Sequence, residues 1–206
     1  EAPARAPKPR RRVSLPIDLP SFALWALTVR AFNAAFYRRH PPWRTIGIVD
    51  YASFFYPLDA VGGWNRMYGR RGFTQYQCVL PRAAGRQAAR TLLDVLTTRG
   101  GASFLCVIKD CGPEGRGLLS FPMEGISIAL DIAITDDTQA LVDALNETVI
   151  DLGGRIYLAK DTFTRPEHFA EMEKDRLGAF RRARRKWDPD GRIRSAQSVR
   201  LLGDAP

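Results

Sequence analysis

The sequence predicts an α+β fold of the ferredoxin-like type, in which an antiparallel sheet built in the order βαββαβ carries its helices on one face. Between residues 73 and 160, segments with apolar residues at every second position alternate with segments whose apolar residues recur at helical spacing. Gly100 and Gly101 close the first helical segment, and Gly153 and Gly154 close the second. The 206 residues, 45% of them hydrophobic, suffice for one core with short extensions.

The part of the chain before residue 73 is expected to lie outside this domain. Residues 1–20 contain five prolines, which disfavour helix and sheet and predict a linker or an extended arm. Residues 21–72 are expected to hold a helix, with Ser21 as a candidate N-cap, and a connecting segment. The apolar stripe of this helix favours packing on another domain, while its arginines leave a position on a membrane surface open. The stripe consists of Phe22, Trp25, Val29, Phe32 and Phe36, and Pro41 and Pro42 end it.

Residues 73–160 are the predicted ferredoxin-like domain. We expect strands over 73–80, 103–109, 125–134 and 155–159, and a first helix over about 82–98. Asp136 or Asp137 can cap the second helix. Residues 161–206 are expected to form a helical tail.

Alternation within the strands predicts one polar face of the sheet, away from the helices. A solvated outer face would show a similar pattern, but small residues beside paired glutamines favour a binding face. The polar face is predicted to carry Gln75, Gln77, Lys109, Ser127, Ala129 and Asp131. The opposite face is predicted to be apolar and to meet the helices, and it includes Phe104, Cys106, Ile108, Ile126, Ile128, Leu130 and Ile132.

The net charge of +9 is concentrated near the two ends of the chain, at residues 10–12 and 181–186. Neither run carries a nucleic-acid motif, so we expect a solvated helix face or a contact with anionic lipid or phosphate, and no nucleic-acid partner. The longest apolar stretch, residues 22–29, is much shorter than the roughly 20 residues of a membrane-spanning helix.

The cysteines and histidines do not suggest a metal site. Cys78, Cys106 and Cys111 lack metal-ligand spacing, and His40 and His168 lie far from them in sequence. We expect three buried free thiols and no metal.

Several consecutive segments carry a resemblance to a known family. They are Phe-Phe-Tyr-Pro-Leu-Asp at 54–59, Trp-Asn-Arg-Met-Tyr-Gly at 64–69, Gly-Phe-Thr-Gln-Tyr-Gln at 72–77, residues 103–109, Leu-Ser-Phe-Pro at 119–122, Gly-Gly-Arg-Ile-Tyr-Leu-Ala-Lys-Asp at 153–161 and Arg-Lys-Trp-Asp-Pro at 185–189. Their order and spacing, over roughly residues 45 to 200, resemble the C-terminal part of the decaprenylphosphoryl-ribose oxidase family of FAD-linked oxidases, in the vanillyl-alcohol oxidase superfamily.

The resemblance implies a cap, or substrate, domain whose FAD is bound mainly by an N-terminal domain that is absent from this chain. It implies oxidation of a secondary alcohol, on a sugar or a polyprenyl-phosphate sugar, by hydride transfer to the flavin. A reductase partner and a location in the cytoplasm or at the periphery of the inner membrane would accompany such an activity. The chain starts at Glu1, and we expect the flavin domain to precede it.

The resemblance also implies roles for individual residues. Tyr157 and Lys160 match a tyrosine and a lysine beside flavin and substrate and are the expected catalytic residues. Lys160 would stabilise developing negative charge as a cation or act as a base. Gln75, Gln77 and Lys109 match positions that line the sugar pocket.

Phe55, Ser127 and Asp131 complete the expected substrate site. Ser127 and Ala129 stand where mycobacterial members carry an asparagine and a cysteine, while Phe55 and Tyr56 replace a tyrosine and a histidine. A different sugar or a different alcohol is therefore an open possibility.

Two alternatives stay open. An aldonolactone or other sugar-alcohol oxidase would use the same cap on a soluble sugar. A non-catalytic ferredoxin-like module would use the basic ends of the chain for binding or assembly.

Overall fold

The structure of the chain, a computed structural model, describes residues 13–20, 26–39, 43, 46–48, 50–101, 103 and 105–205. It divides the chain into two compact units, Glu1–Gly72 and Phe73–Pro206.

The first unit contains short elements. Strand β1, Val13–Ser14, pairs in parallel with β2, Val61–Gly62. Helix α1 spans Ala26–Arg38 and helix α2 spans Tyr51–Phe55. Single 3₁₀ turns cover Pro57–Ala60 and Trp64–Tyr68.

Helix α1 agrees with the helix predicted before Pro41, although Ser21, Phe22, Trp25, Pro41 and Pro42 lie outside the described residues. Within α1, Val29 is buried, whereas Phe32 and Phe36 are exposed and stack with ring centroids 6.1 Å apart. Most of the described apolar stripe therefore faces outward, which suits either of the two interpretations of this helix.

The second unit has the predicted ferredoxin-like architecture. In chain order it contains β3 Phe73–Pro81, α3 Gly85–Thr98, β4 Cys106–Cys111, β5 Gly125–Ala133, α4 Thr138–Asp151 and β6 Arg155–Ile156. The strands form one antiparallel sheet in the order β4-β5-β3-β6, so the first strand lies in the interior of the sheet. The tail consists of a 3₁₀ turn, Leu158–Lys160, and helices α5 Pro166–Met172, α6 Lys174–Trp187 and α7 Ala196–Leu202.

Two strands differ from their predicted bounds. Strand β4 begins at Cys106 rather than at residue 103; before it, the Asp131 backbone N–H is shared between the Ser103 hydroxyl and the Leu105 carbonyl. Strand β6 ends at Ile156, since the 3₁₀ turn that carries Lys160 begins two residues later.

The start of α4 was predicted at the right residue, but the predicted capping hydrogen bond from an aspartate side chain was wrong for Asp137. Asp137 occupies the N-cap position, but its side chain makes no capping hydrogen bond. Instead, the Thr135 N–H donates to the Thr138 hydroxyl at 2.8 Å.

The core lies between one face of the sheet and helices α3 and α4. Leucine and valine side chains of the helices pack on alternate residues of β3 and β5, and this burial is the main stabilising contribution. Gly154 permits the close pairing of β6 with β3, because a Cβ at this position would stand 2.6 Å from the Val79 carbonyl oxygen. A second cluster joins the tail helices through Phe169, Leu177 and Leu201.

The edge strand β4 departs from the predicted burial. Cys106 pairs with Leu130 and Ile108 with Ile128, so both point to the helix side as predicted, yet both are exposed because the helices cover the inner strands of the sheet. The prediction that Cys106 and Ile108 meet the helices was therefore wrong, and Phe104 lies outside the described residues. Of the three thiols, Cys78 is buried, Cys106 is exposed and Cys111 is half-buried.

Among the described residues, no helix combines the length and the apolar character needed to cross a membrane.

Candidate functional site

The register of the sheet brings the predicted polar residues onto one face. Lys109 pairs with Ser127, which in turn pairs with Val79. In the next row Gln77 pairs with Ala129, and in the row beyond it Gln75 pairs with Asp131. Since paired residues point to the same side of a sheet, these rows form one polar face opposite the helices.

The polar side chains of this face bind each other. Gln75 Nε2 donates to Asp131 Oδ1 and Gln77 Nε2 donates to Ser127 Oγ, each at 2.9 Å. Gln77, Ser127 and Asp131 are buried, so these bonds supply the partners that buried polar groups require. Gln75 is half-buried and Lys109 is exposed, which leaves these two side chains the most available to a ligand.

Tyr157 extends the row of Gln77. Its backbone N–H donates to the Gln77 carbonyl at 2.7 Å, immediately after the pairing of Ile156 with Cys78. The Tyr157 ring packs on Phe121, with centroids 4.6 Å apart and planes at 32°. The ring is therefore oriented by a neighbouring aromatic and remains half-buried.

Lys160 lies one turn after Tyr157, and its backbone N–H donates to the Tyr157 carbonyl at 3.0 Å. Its side chain is half-buried and makes no hydrogen bond or ion pair with any residue that the structure describes. The chain thus brings Tyr157 to the edge of the polar face beside Gln77, and Lys160, whose ammonium has no counter-ion among the described residues, follows one turn later.

The chain itself covers one end of this face. Glu114 Oε1, on the loop after β4, accepts hydrogen bonds from Arg155 at 2.7 Å and from Arg176. The Ser120 carbonyl accepts from the same two arginines at 2.8 and 2.9 Å. Its hydrogen bond with Arg155 lowers the pKa of Glu114, while burial raises the pKa of Glu173, which also binds Arg176. The polar face is consequently open over only part of its area.

Phe55, the remaining predicted substrate residue, lies on α2 in the first unit. It is exposed and meets Phe54 edge to face, with ring centroids 5.0 Å apart. Its predicted role stays a prediction.

Sequence reasoning missed the residues of α7 that hold the turn containing Lys160. Gln197 Nε2 donates to the Leu158 carbonyl at 2.6 Å, and Arg200 Nη2 donates to Asp161 Oδ2 at 2.7 Å. Arg200 Nη1 also donates to the Thr164 carbonyl. The i, i+3 spacing of Gln197 and Arg200 places both on one face of α7, but that spacing does not indicate their partners.

A cavity of about 270 Å³ lies within the tail, next to the same turn. Its walls are mainly apolar, and Arg184 and Arg194 add cationic groups. The apolar lining includes Leu119, Leu158, Phe169, Phe180 and Leu201.

Helix α6 carries a basic surface. Arg181, Arg182, Arg185 and Lys186 are exposed, fall within one side of the helix by their spacing, and form no ion pair with the described residues. Trp187 follows them, 81% exposed, with Lys186 Nζ 5.7 Å from its ring centroid. We call these five residues the α6 basic surface.

Comparison with known proteins gives two informative relatives. No family model matches the chain. A decaprenylphosphoryl-beta-D-ribose oxidase from Mycolicibacterium smegmatis is 35% identical over 189 residues, which are 92% of this chain and 40% of that protein. A Streptomyces coelicolor protein named as an uncharacterized protein in the mprA 5′ region is 30% identical over 145 residues, 70% of this chain and 39% of that protein.

The chain thus spans about 40% of the length of the curated relatives it matches, in agreement with the predicted match to a C-terminal part. The resemblance predicted from the collinear motifs is confirmed, and this chain is a homologue of part of decaprenylphosphoryl-beta-D-ribose oxidase, a flavoprotein of the FAD-linked oxidase type.

Proposed function

We propose that this chain is the substrate-side domain of an FAD-dependent oxidoreductase that oxidises a secondary alcohol, on a sugar or a polyprenyl-phosphate sugar. The similarity supports the oxidoreductase class, and the name of the relative, a decaprenylphosphoryl-beta-D-ribose oxidase, supports the substrate class. The single observation that supports the proposal is that Tyr157 extends the strand pairing at Gln77 and that Lys160 follows it by one turn.

The side chains present fit a flavin at this end of the sheet. Lys160 offers a cation without a counter-ion among the described residues, and Tyr157, packed on Phe121, offers a hydroxyl; both suit a ring system that gains negative charge on reduction. FAD, when bound, supplies the hydride acceptor of the reaction. We propose that an N-terminal domain outside this chain binds most of the cofactor.

Lys160 carries the electrostatic part of the proposed mechanism. A secondary alcohol that becomes a ketone gives a hydride from carbon to the bound acceptor and its hydroxyl proton to a general base, so negative charge develops on the oxygen. The Lys160 ammonium stabilises that charge most strongly in a site from which water is excluded. Tyr157, anchored through its backbone to Gln77, forms the adjacent wall and orients the substrate.

The other polar residues serve recognition. The amide of Gln75 has donors and acceptors for sugar hydroxyls, and the exposed ammonium of Lys109 suits a phosphate. The Gln75–Asp131 and Gln77–Ser127 hydrogen bonds hold the face together, and the buried Gln77, Ser127 and Asp131 shape the floor of the pocket.

A flavin assay tests this function. The full-length protein should absorb between about 350 and 500 nm, as oxidised flavin does, and the substrate should bleach that band. Lys160→Ala should slow flavin reduction by about 10²- to 10³-fold, the usual loss for a group that stabilises an oxyanion. Lys174→Ala removes an exposed lysine paired with Glu171 and serves as the matched control. An unchanged reduction rate in Lys160→Ala would remove the proposed role of this lysine.

The choice of substrate separates the main proposal from its nearest alternative. A polyprenyl-phosphate sugar oxidase should reduce its flavin far faster with a lipid-linked sugar than with the free sugar. An aldonolactone or sugar-alcohol oxidase should reduce it equally well with a soluble sugar. If neither substrate class reduces the flavin, a non-catalytic binding module becomes the better interpretation.

We further propose that the α6 basic surface contacts the anionic headgroups of a membrane that holds a lipid-linked substrate. Unpaired basic side chains next to an exposed tryptophan are typical of proteins that bind at a lipid interface. Contact at the periphery of the inner membrane would then give the site access to its substrate, and would let a reductase partner act there on the ketone product.

Vesicle sedimentation tests the membrane contact. Replacing Arg181, Arg182 and Arg185 together by Gln should lower binding to vesicles with anionic lipid by at least about tenfold, at roughly 1 kcal/mol per basic residue. Replacing the exposed Arg86, Arg90 and Arg99 by Gln makes the same charge change on and just after α3 and should leave binding nearly unchanged. Equal losses in the two variants would instead indicate a nonspecific effect of net charge.

A further inference from the structure

Helix α7 is a short helix with a firmly fixed start. Ser195 and Ser198 form a reciprocal capping box, in which the Ser198 N–H donates to the Ser195 hydroxyl at 3.1 Å and the Ser195 N–H donates to the Ser198 hydroxyl at 2.9 Å. Leu201 anchors the other end in the tail cluster with Phe169 and Leu177. The helix is therefore a rigid support despite its seven residues.

One face of helix α7 binds the turn that contains Lys160, and it does so at both ends of that turn. Gln197 binds the carbonyl of Leu158, the first residue of the turn, at 2.6 Å. Arg200 binds the carboxylate of Asp161, the residue after the turn, at 2.7 Å. Lys160 lies between these two attachment points, and the Asp161 N–H closes the turn on the Leu158 carbonyl at 3.2 Å.

The contact between Arg200 and Asp161 also compensates the negative charge of the Asp161 carboxylate. The Asp161 side chain is only 6% exposed, and its other oxygen accepts the Thr164 N–H at 2.9 Å. With Arg200 as its partner, this carboxylate has its charge matched, and each of its two oxygens accepts a hydrogen bond. Without Arg200, an uncompensated carboxylate would stand next to Lys160 in the chain and would attract its ammonium group.

We propose that Gln197 and Arg200 are positioning residues for Lys160. They fix the backbone of its turn against α7, and Arg200 occupies Asp161 so that the Lys160 ammonium stays available to the substrate. This inference rests on the proposed function of Lys160 and adds to it the element that keeps this lysine in place.

Amide exchange of the 206-residue chain tests the structural half. Arg200→Met and Gln197→Met remove the donors while keeping an unbranched side chain. Each should raise exchange over residues 157–164 by about tenfold or more, because local opening no longer breaks these bonds. Arg184→Met is the matched control, because Arg184 binds Asp204 just beyond α7 but does not touch the turn. Its exchange over 157–164 should stay within about twofold of the wild type.

Flavin reduction in the full-length protein tests the functional half. Arg200→Met should lower the limiting rate by about tenfold to a hundredfold with little change in KM, because a misplaced group weakens the transition state more than substrate binding. Arg200→Lys keeps the charge but not the forked geometry and should restore part of the rate. Gln197→Met supplies a second, charge-neutral test if Arg200→Met does not fold.

The outcomes separate this inference from the function on which it rests. If Lys160→Ala slows flavin reduction but Arg200→Met and Gln197→Met do not, the positioning role is wrong and the proposed function stands. If Lys160→Ala has no effect, the proposed function fails. If Arg184→Met raises amide exchange over residues 157–164 as much as the two test variants do, Gln197 and Arg200 contribute only to the general stability of the tail.

Discussion

Both faces of the sheet are largely buried in their central rows, but different interactions stabilise them. On the helix side, residues such as Leu80 and Ile128 are buried against apolar helix residues and need no directional partner. On the opposite side, Gln77, Ser127 and Asp131 are buried almost as completely, yet each depends on a specific hydrogen-bond partner. An apolar face accepts many shapes of similar volume, whereas a buried polar face is stable in few arrangements. The polar face is therefore the better place to specify a ligand.

The largest expected effect is a difference in cysteine reactivity on the helix side of the sheet, between the inner strand β3 and the edge strand β4. Cys78 is fully buried, and burial raises the pKa of its thiol to about 12. Desolvation raises the pKa of Cys106 as well, but its side chain is exposed to reagents. Iodoacetamide should modify Cys106 more than about a thousandfold faster than Cys78, whose reaction requires unfolding at a cost of at least about 5 kcal/mol. Peptide mass spectrometry would measure both rates, and comparable rates would contradict the described packing of β3.

Truncation of a core side chain should have the next largest effect. Leu145 is fully buried on α4, so Leu145→Ala should lower the free energy of unfolding by about 2 to 5 kcal/mol through lost burial and a new cavity. Urea denaturation measures the loss. Leu118→Ala, at a side chain that is 44% exposed, is the control and should change stability by less than about 0.5 kcal/mol.

Loss of a polar partner on the other face should cost less and should be partly reversible. Gln77→Met removes the donor to Ser127 and leaves a buried hydroxyl unsatisfied, at about 1 to 3 kcal/mol. Adding Ser127→Ala removes the second partner as well, and the double variant should regain part of the loss in the same urea experiment. A double variant whose loss equals the sum of the single losses would argue against the pairing.

The smallest expected effect concerns pH and the loop that covers the polar face. The hydrogen bond with Arg155 lowers the pKa of Glu114 below its ordinary value of 4.5 in the folded state. The unfolded chain then binds more protons than the folded chain below pH 4.5, so the stability from this group is complete above 4.5 and is lost as the pH falls through the lowered pKa. Glu114→Gln should therefore flatten the fall in stability below this pH. Unfolding curves that run parallel to the wild type down to about pH 2 would contradict the coupling.

The periodic parts of the fold could be predicted from sequence because burial dictates them. Alternation in β3 and β5, helical spacing in α3 and α4, and the glycines after each helix determine the ferredoxin-like order. The misses lie where position in the sheet outweighs pattern. Ile108 has the alternation of an inner strand, but its exposure depends on how far two helices reach, which no local pattern records.

The candidate site could likewise be predicted only in part. Strand alternation placed Gln75, Gln77, Lys109, Ser127 and Asp131 on one face, and the register agrees with that placement. The pairing of the amides with Ser127 and Asp131 could not be read from sequence, because it depends on cross-strand register. Gln197 and Arg200 were missed for a related reason, since their partners at Leu158 and Asp161 lie nearly forty residues earlier in the chain.

The position of β3 in the sheet also bears on how this domain is made. It is the first strand of the sheet to leave the ribosome, yet its partners are β5, at Gly125–Ala133, and β6, at Arg155–Ile156. Until those segments emerge, its ladder groups and its apolar side chains have no native counterpart, and such distant pairings form slowly. During synthesis, β3 therefore waits longest for its partners, although it lies inside the finished sheet. A chaperone that protects the nascent chain would be needed most at this strand.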